Sequence, residues 1–229
     1  IINMDVFIDS PDVDRIRSIA DLGIVDGVTT NPSLVSSTDR AYRDIVMELD
    51  KFVDGPISVE VISTDHEEMI KEAREYNTWG DDITVKFPMT KDGMKALQRA
   101  NEYGIESNIT LIFSVNQALI AAKNGATMVS PFVGRLDDIG HDGIGLIEDI
   151  VEIYHTYGFD TDVLAASLRH PKHLEQSAKA GADTVTLPPD VAEAAFDHPK
   201  TDLGLEGFLD DWGDRESPAF QLFQCYSDS

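Results

Sequence analysis

The chain has 229 residues, of which 42 are acidic and 18 are basic, and its formal net charge is −24. A surface this negative repels nucleic acid and anionic lipid, so we expect neither as a partner. No stretch approaches the roughly 18 apolar residues that a membrane span needs. The single cysteine, Cys225, excludes an internal disulfide.

The acidic residues are spread over every segment of the chain. This distribution favours adaptation of the whole surface to high salt, as in a halophilic cytoplasm, and an ordinary acidic protein is the alternative. One cysteine is typical of a reducing compartment. The first residues lead into a strand without a basic leader, so we expect a cytoplasmic protein.

Strand and helix patterns alternate along the chain. The predicted strands cover residues 5–9, 27–30, 57–62, 83–87, 108–112, 128–132, 162–166 and 184–187. The predicted helices cover residues 12–22, 40–53, 65–79, 91–103, 115–124, 145–157, 171–180 and 190–196. Gly23, Gly104, Gly125 and Gly181 each precede a strand and are expected to end the preceding helix.

Eight units in strict alternation predict an α/β fold with a parallel sheet closed into a (β/α)8 TIM barrel. A doubly wound open sheet is the rival, but no glycine-rich dinucleotide loop follows the first strand. We expect one domain over residues 1–229, with the barrel in about 4–198 and an extra helix, at 205–212, and tail in about 199–229. Because Phe208, Trp212, Phe220, Leu222 and Phe223 are apolar, this segment is expected to pack on the barrel or on a neighbouring subunit.

The predicted strand at residues 83–87 carries a lysine near its C-terminal end. Thr84 and Lys86 share one face of this strand, whereas Ile83, Val85 and Phe87 form the apolar face. In a closed barrel, Lys86 therefore points into the interior, where a poorly solvated amine can act as a Schiff-base nucleophile. The alternative is an edge-strand lysine that only deters aggregation.

Active sites of such barrels lie at the C-terminal ends of the strands. The polar residues predicted there are Asp9, Asn31, Glu60, Lys86, Asn108, Thr110, Ser130, Arg135, Ser167 and Arg169. Asp9 has a structural alternative as a helix cap, and Asn31 has one as a turn residue before a proline. Glu60 is harder to explain structurally, because a carboxylate in a central strand is costly unless it is paired or hydrated. Arg135 and Arg169 suit a doubly charged phosphate, or they only balance acidic residues at the rim.

Five motifs resemble those of the transaldolase family, in the same order. They are TTNPSL at 29–34, ITVKFP around Lys86, SNITLIFS at 107–114, SPFVGR at 130–135 and AASLR at 165–169. The resemblance covers about residues 4–212. It implies a (β/α)8 enzyme in which a strand-four lysine, here Lys86, forms a Schiff base with the ketone of a ketose phosphate, without a metal or organic cofactor. It also implies a homo-oligomer, because the small branch of the family forms pentamers and decamers.

The resemblance also implies roles for the other residues. Asp9 would be the general base for the C4 hydroxyl, and Glu60, with a water held by Thr110, would move protons in imine formation and hydrolysis. The implied ligands are Asn31, Asn108 and Ser130 for the donor hydroxyls, and Arg135, Ser167 and Arg169 for the terminal phosphate. The reaction would transfer a dihydroxyacetone unit from fructose 6-phosphate or sedoheptulose 7-phosphate to an aldose phosphate such as erythrose 4-phosphate.

Other functions fit parts of the same pattern. Glu60 and Phe132 resemble the transaldolases, whereas the aldolase branch has glutamine and tyrosine there, but the brevity of the chain resembles the fructose-6-phosphate aldolases. A sulfonated sugar would suit the two arginines, which would make a sulfosugar transaldolase. A noncatalytic sugar-phosphate-binding protein would need neither Lys86 nor Glu60 inside the barrel.

Three histidines are further candidates for metal binding or substrate contact. His170 and His173 lie three residues apart on a predicted helix with no further ligand clustered in the sequence, so we expect no metal site. His141, between Asp138 and Asp142, either contacts substrate from a loop or lies on the surface.

Overall fold

The computed structural model describes residues 4–213. Within that range, eight parallel strands form a closed barrel in chain order. The strands are β1 (Asp5–Asp9), β2 (Gly27–Thr29), β3 (Ile57–Glu60), β4 (Ile83–Pro88), β5 (Ser107–Ile112), β6 (Met128–Pro131), β7 (Asp162–Ala165) and β8 (Thr184–Leu187). Since β1 pairs with both β2 and β8, the sheet closes on itself and the predicted TIM barrel is confirmed.

Helices follow every strand of the described barrel. They are α1 (Val13–Ala20), α2 (Pro32–Val35), α3 (Tyr42–Leu49), α4 (His66–Tyr76), α5 (Lys91–Glu102), α6 (Val115–Lys123), α7 (Val133–Asp137), α8 (Gly143–Tyr157), α9 (Pro171–Lys179), α10 (Pro189–Ala194) and α11 (Pro199–Trp212). The short helices α2 and α7 were not predicted, because four or five residues are too few for a helical period.

Several element ends differ from the prediction for local reasons. Helix α8 begins at Gly143, because the carboxylate of Asp142 accepts the backbone N–H of Gly145 and caps the helix. Helix α11 begins at Pro199, six residues earlier than predicted, since a proline at the first helical position needs no donor there. Strand β6 ends at Pro131, and Phe132 makes only a single bridge to Ala166.

The four glycines predicted to end helices all have positive φ: Gly23 at 75°, Gly104 at 67°, Gly125 at 79° and Gly181 at 81°. Glycine adopts this conformation without the steric cost that a Cβ atom brings. The chain can therefore reverse after α1, α5, α6 and α9 and enter the next strand, as the sequence predicted.

The main core lies between the outer face of the barrel and the surrounding helices. Ile83, Val85 and Phe87 of β4 belong to this layer, while Lys86 lies inside the barrel and is only 5% exposed. A smaller apolar cluster fills the interior and consists of Phe7, Met128, Leu164 and Ala166, with Phe132 packed against it. The predicted orientation of β4 is thus confirmed.

The described chain divides into two compact units, with the boundary between Ala195 and Phe196. Among residues 4–213, no helix is both long and apolar enough to cross a membrane. Phe208 of α11 is exposed, and Phe220, Leu222 and Phe223 lie outside the described residues. Packing of the C-terminal segment and assembly into a homo-oligomer stay predictions.

Candidate active site

A cavity of about 360 Å³ lies where the strands end at their C-terminal side. Nine of the residues singled out in the sequence line it: Asp9, Asn31, Glu60, Lys86, Thr110, Ser130, Phe132, Arg135 and Ser167. They come from seven different strand ends or the loops that follow, so only closure of the barrel brings them together.

Lys86 is the one lysine that lines this cavity in the described chain. Its Nζ atom lies 3.0 Å from Oε2 of Glu60 and donates to the backbone carbonyl of Thr30, also at 3.0 Å. Glu60 and Lys86 are opposite each other in the β3–β4 register, which fixes the pair. A buried amine beside a carboxylate can pass a proton directly to that carboxylate, which nucleophilic attack requires.

The Asp9 carboxylate lies at the end of β1 and accepts a hydrogen bond from the Thr29 hydroxyl at 2.8 Å. The Thr29 oxygen is in turn 2.7 Å from the Thr186 hydroxyl, which then donates to it. Burial raises the pKa of Asp9 above its ordinary value, although the Lys86 charge and the Thr29 hydrogen bond act in the opposite direction. A carboxyl group with a raised pKa is suited to general acid–base catalysis near neutral pH.

The backbone of β5 is irregular where it borders the cavity. The register with β6 shifts between Ile109 and Ile112, and Leu111 has φ of 61°, which is strained for a residue with a Cβ atom. As a result, Thr110 and Leu111 both line the cavity, although neighbouring strand residues normally face opposite sides. The Thr110 hydroxyl faces this cavity without a hydrogen bond to another described residue, so it is available to hold a water.

Part of the cavity wall is formed by the loops after β6 and β7. The Arg135 guanidinium lies 4.8 Å from the centre of the Phe132 ring, which holds it by a cation–π contact. Ser167 has φ of 61°, and its carbonyl accepts the N–H of Gly134 at 3.1 Å. A Cβ atom at Gly134 would lie 2.3 Å from that carbonyl oxygen, so this close approach requires glycine.

Asn31 serves two purposes at the start of α2. Its side-chain oxygen accepts the N–H of Leu34 at 3.0 Å and caps the helix, with Pro32 in the first turn. It also lines the cavity. The cap role given as the structural alternative is therefore observed, while the role of Asn31 in substrate binding stays a prediction.

Two predicted substrate ligands do not line the cavity. Asn108 is fully buried beneath it, where its amide donates to Ser58 and its oxygen accepts from the Ser130 hydroxyl at 2.6 Å. Arg169 pairs with Asp138 at 2.9 Å. Asn108 can therefore orient Ser130 from below, and Arg135 is the arginine that reaches the cavity.

The sequence did not identify Thr29, Thr186, Leu111 and Ala166 as cavity residues, although all four line it. Thr29 and Thr186 carry a detectable signal, because each is a hydroxyl residue near the end of a barrel strand. Leu111 carries none, since its place in the cavity follows from the bulge.

The histidines lie outside the cavity. His141 borders a separate surface groove, and His173 is buried with its Nε2 atom 3.0 Å from Asp137. This carboxylate partner could not be predicted from the sequence, because Asp137 is distant from His173 in the chain. One further group, Asp65, His66 and Asp92, brings ligand-type atoms within 4.8 Å of one another. Lys95 already pairs with Asp92 there, at 3.1 Å.

Residues 6–218 match the family described as Transaldolase/Fructose-6-phosphate aldolase. Curated relatives include proteins named probable transaldolase from Hydrogenobaculum sp. (53% identical, covering 91% of this chain and 96% of theirs) and from Carboxydothermus hydrogenoformans (53% identical, 91% and 98%). Another, from Methanococcus maripaludis, is 52% identical and covers 91% and 97%.

Among solved structures, thiamine phosphate pyrophosphorylase from Pyrococcus furiosus superposes with a TM-score of 0.56. That match covers 83% of this chain and 91% of the other, at 17% sequence identity. Identity this low supports the barrel fold alone and says nothing of activity.

Proposed function

The chain belongs to the transaldolase/fructose-6-phosphate aldolase family and is an enzyme of the transaldolase class, and from this premise we propose a specific reaction. It transfers a dihydroxyacetone unit from a ketose phosphate, fructose 6-phosphate or sedoheptulose 7-phosphate, to an aldose phosphate. The intermediate is a Schiff base on Lys86.

One observation carries this proposal: the Lys86 amine lies inside a polar cavity with a carboxylate 3.0 Å away. Formation of a Schiff base needs two proton transfers. The ammonium must lose a proton before the amine attacks the ketone, and the carbinolamine hydroxyl must gain one before it leaves as water. Glu60 meets both needs, because it accepts the proton from the ammonium and then donates it to the carbinolamine hydroxyl. The Thr110 hydroxyl is available for the water in the same step.

The carbon–carbon bond then breaks with the imine as electron sink. Asp9 takes the proton of the C4 hydroxyl, the C3–C4 electron pair moves toward the imine nitrogen, and the aldose phosphate leaves. The remaining enamine attacks the aldehyde of the acceptor, which takes the proton back from Asp9. Hydrolysis of the new imine releases the newly formed ketose phosphate and regenerates Lys86.

The phosphate of each sugar binds at Arg135 and Ser167, which line the same cavity. Arg135 supplies the positive charge and Ser167 a hydroxyl donor, both from the loops after β6 and β7. In a protein of net charge −24, a local arginine is needed to hold a dianion against the general repulsion.

Reductive trapping tests the proposal. Incubation with fructose 6-phosphate and borohydride is expected to add a dihydroxyacetone-sized mass to the peptide that contains Lys86. Lys86→Arg should abolish the adduct, whereas Lys91→Arg, on the outer helix α5, should not. Labelling of Lys91 or Lys95 in the unmodified protein would disprove the assignment.

A further inference from the structure

We propose that Tyr42, a residue of α3 that does not line the cavity, is a positioning residue for Lys86. The two groups that contact the Lys86 amine are the Thr30 carbonyl and the Glu60 carboxylate. Thr30 and Glu60 are also the two residues that bond to the Tyr42 hydroxyl. This inference deepens the proposed function, since it rests on Lys86 as the nucleophile.

The hydrogen bonds around Tyr42 have a defined direction. The backbone N–H of Glu60 donates to the Tyr42 oxygen at 2.9 Å. The Thr30 hydroxyl donates to the Ser58 carbonyl at 2.7 Å, so its one proton is in use. The contact of 2.6 Å between the two hydroxyls must therefore be donated by Tyr42. Tyr42 thus accepts from β3 and donates to the residue that follows β2.

The hydrogen bonds of Tyr42 join the ends of β2 and β3, where few register pairs hold these two strands together. Strands β2 and β3 share only two register pairs, Val28 with Ile57 and Thr29 with Ser58. Glu60 lies two residues beyond the last pair. The end of β3 is held to β4 by its register, but beyond the bonds from the Thr30 N–H and hydroxyl to the Ser58 carbonyl only Tyr42 ties it to the end of β2 in the described chain. Without that tie, the Thr30 carbonyl that contacts the Lys86 amine would be free to shift relative to Glu60.

The ring and the hydroxyl of Tyr42 are both held in place. Tyr76 and Trp79 contact the ring, with centroids 6.1 and 5.7 Å away. Burial raises the pKa of the Tyr42 hydroxyl above its ordinary value, which favours the protonated form that donates to Thr30. Tyr42 does not line the cavity and bonds the described residues that contact Lys86, which assigns it to positioning and not to catalysis.

Removing the hydroxyl should slow chemistry at Lys86 and leave phosphate binding unchanged. In Tyr42→Phe, the rate at which fructose 6-phosphate is trapped by borohydride should fall about tenfold at saturation, a loss typical of a buried hydrogen bond. The half-saturating concentration should stay within about twofold, because the Tyr42 hydroxyl bonds Thr30 and Glu60 and neither Arg135 nor Ser167. The matched control is Tyr76→Phe, which removes a hydroxyl of the same aromatic cluster that bonds no described residue, and its trapping rate should be unchanged.

A second variant covers the case in which Tyr42→Phe does not fold. Thr30→Val removes the acceptor for the Tyr42 proton and keeps the carbonyl that contacts Lys86, and it should show the same selective loss of rate. A normal trapping rate in whichever of the two variants folds would overturn the proposal. An equal loss of trapping rate in Tyr76→Phe would also overturn it, and so would a rise in the half-saturating concentration of fructose 6-phosphate that parallels the loss of rate. Failure of the unmodified protein to be trapped at Lys86 would instead refute the proposed function.

Discussion

Lys86 and Glu60 are register partners on β4 and β3, and their charged atoms lie 3.0 Å apart inside the barrel. In the proposed reaction, this pair holds the proton that leaves the amine before attack and passes to the carbinolamine afterwards. Replacement of the carboxylate by an amide keeps the shape but removes the proton acceptor.

Glu60→Gln is therefore expected to slow Schiff-base formation by about 10² to 10⁴, the range for loss of a general acid–base group. Trapped mass on Lys86 measured against time tests this, with Glu68→Gln, an exposed partner of Lys71, as the control. An unchanged rate would show that Glu60 takes no part in proton transfer.

Arg135 and Arg169 should contribute unequally to phosphate binding. Arg135 lines the cavity, whereas Arg169 pairs with Asp138. Arg135→Ala should raise the KM for fructose 6-phosphate about tenfold to a hundredfold, as expected for loss of a charged hydrogen bond. Arg169→Ala should raise it less than about threefold, since an exposed paired arginine contributes little.

Fructose without phosphate is the control substrate for both variants, because its KM should not change. Equal effects of Arg135→Ala and Arg169→Ala on fructose 6-phosphate would mean that Arg169 leaves Asp138 when substrate binds.

Phe132 should determine whether the bound enamine waits for an acceptor. A phenyl ring cannot donate a proton, so transfer should exceed release of free dihydroxyacetone. Phe132→Tyr adds a hydroxyl at the cavity wall and should increase that release at the expense of transfer. Both products are measured from fructose 6-phosphate with and without erythrose 4-phosphate. The unmodified protein decides between the two activities. If it releases dihydroxyacetone without acceptor as fast as it transfers the unit to erythrose 4-phosphate, the fructose-6-phosphate aldolase activity is favoured.

His173 should make stability depend on pH. Its Nδ1 atom accepts the backbone N–H of Arg169 and its Nε2 atom faces Asp137, an arrangement that needs the neutral ring. Burial, and then the neighbouring His170, lower the pKa of His173 from 6.5, against the opposing effect of Asp137. The stability that the neutral ring contributes is therefore complete above about pH 6.5 and is lost as the pH falls below it.

The variant His173→Asn keeps an acceptor near the Nδ1 position and cannot titrate. Between pH 7.5 and pH 5.5, the Tm of the unmodified protein should fall more than that of His173→Asn. His141→Asn, a loop histidine, should behave like the unmodified protein. Parallel curves for the unmodified protein and His173→Asn would contradict the prediction.

Asp162 begins β7 in a group of carboxylates at the opposite end of the barrel. Although Asp162 is exposed at the surface, partial desolvation, and then Asp183 and Asp5, raise the pKa of Asp162 from 3.8 to about 6. The folded state therefore binds this proton more tightly than the unfolded chain, and the free energy of unfolding falls as the pH rises from about 4 to about 6.

Asp162→Asn removes this cost and should raise the Tm at pH 7.5 by about 2–4 °C, for a gain of about 1 kcal/mol after allowance for solvent exposure. The gain should disappear near pH 4. Asp160→Asn, which removes an equal charge two residues earlier, is the control, and an equal gain there would point to net charge alone.

The sequence by itself determined the barrel and the inward-facing lysine that is proposed as its nucleophile. Alternation of apolar residues with a period of two or of 3.6 depends only on neighbouring residues, so the eight strands and the inward face of β4 follow from the pattern. The motifs around Lys86, Ser130 and Ser167 indicated the family in the same way, and nine predicted site residues line one cavity.

Only the tertiary structure decided which side chains meet. The pairing of Arg169 with Asp138, the burial of Asn108 and the contact of Tyr42 with Thr30 and Glu60 join residues from different elements. Such contacts depend on barrel closure and on the direction of each side chain, which local periodicity does not encode. The bulge that turns Leu111 into the cavity likewise follows from how β5 pairs with β6, because its strained φ is maintained by the surrounding sheet.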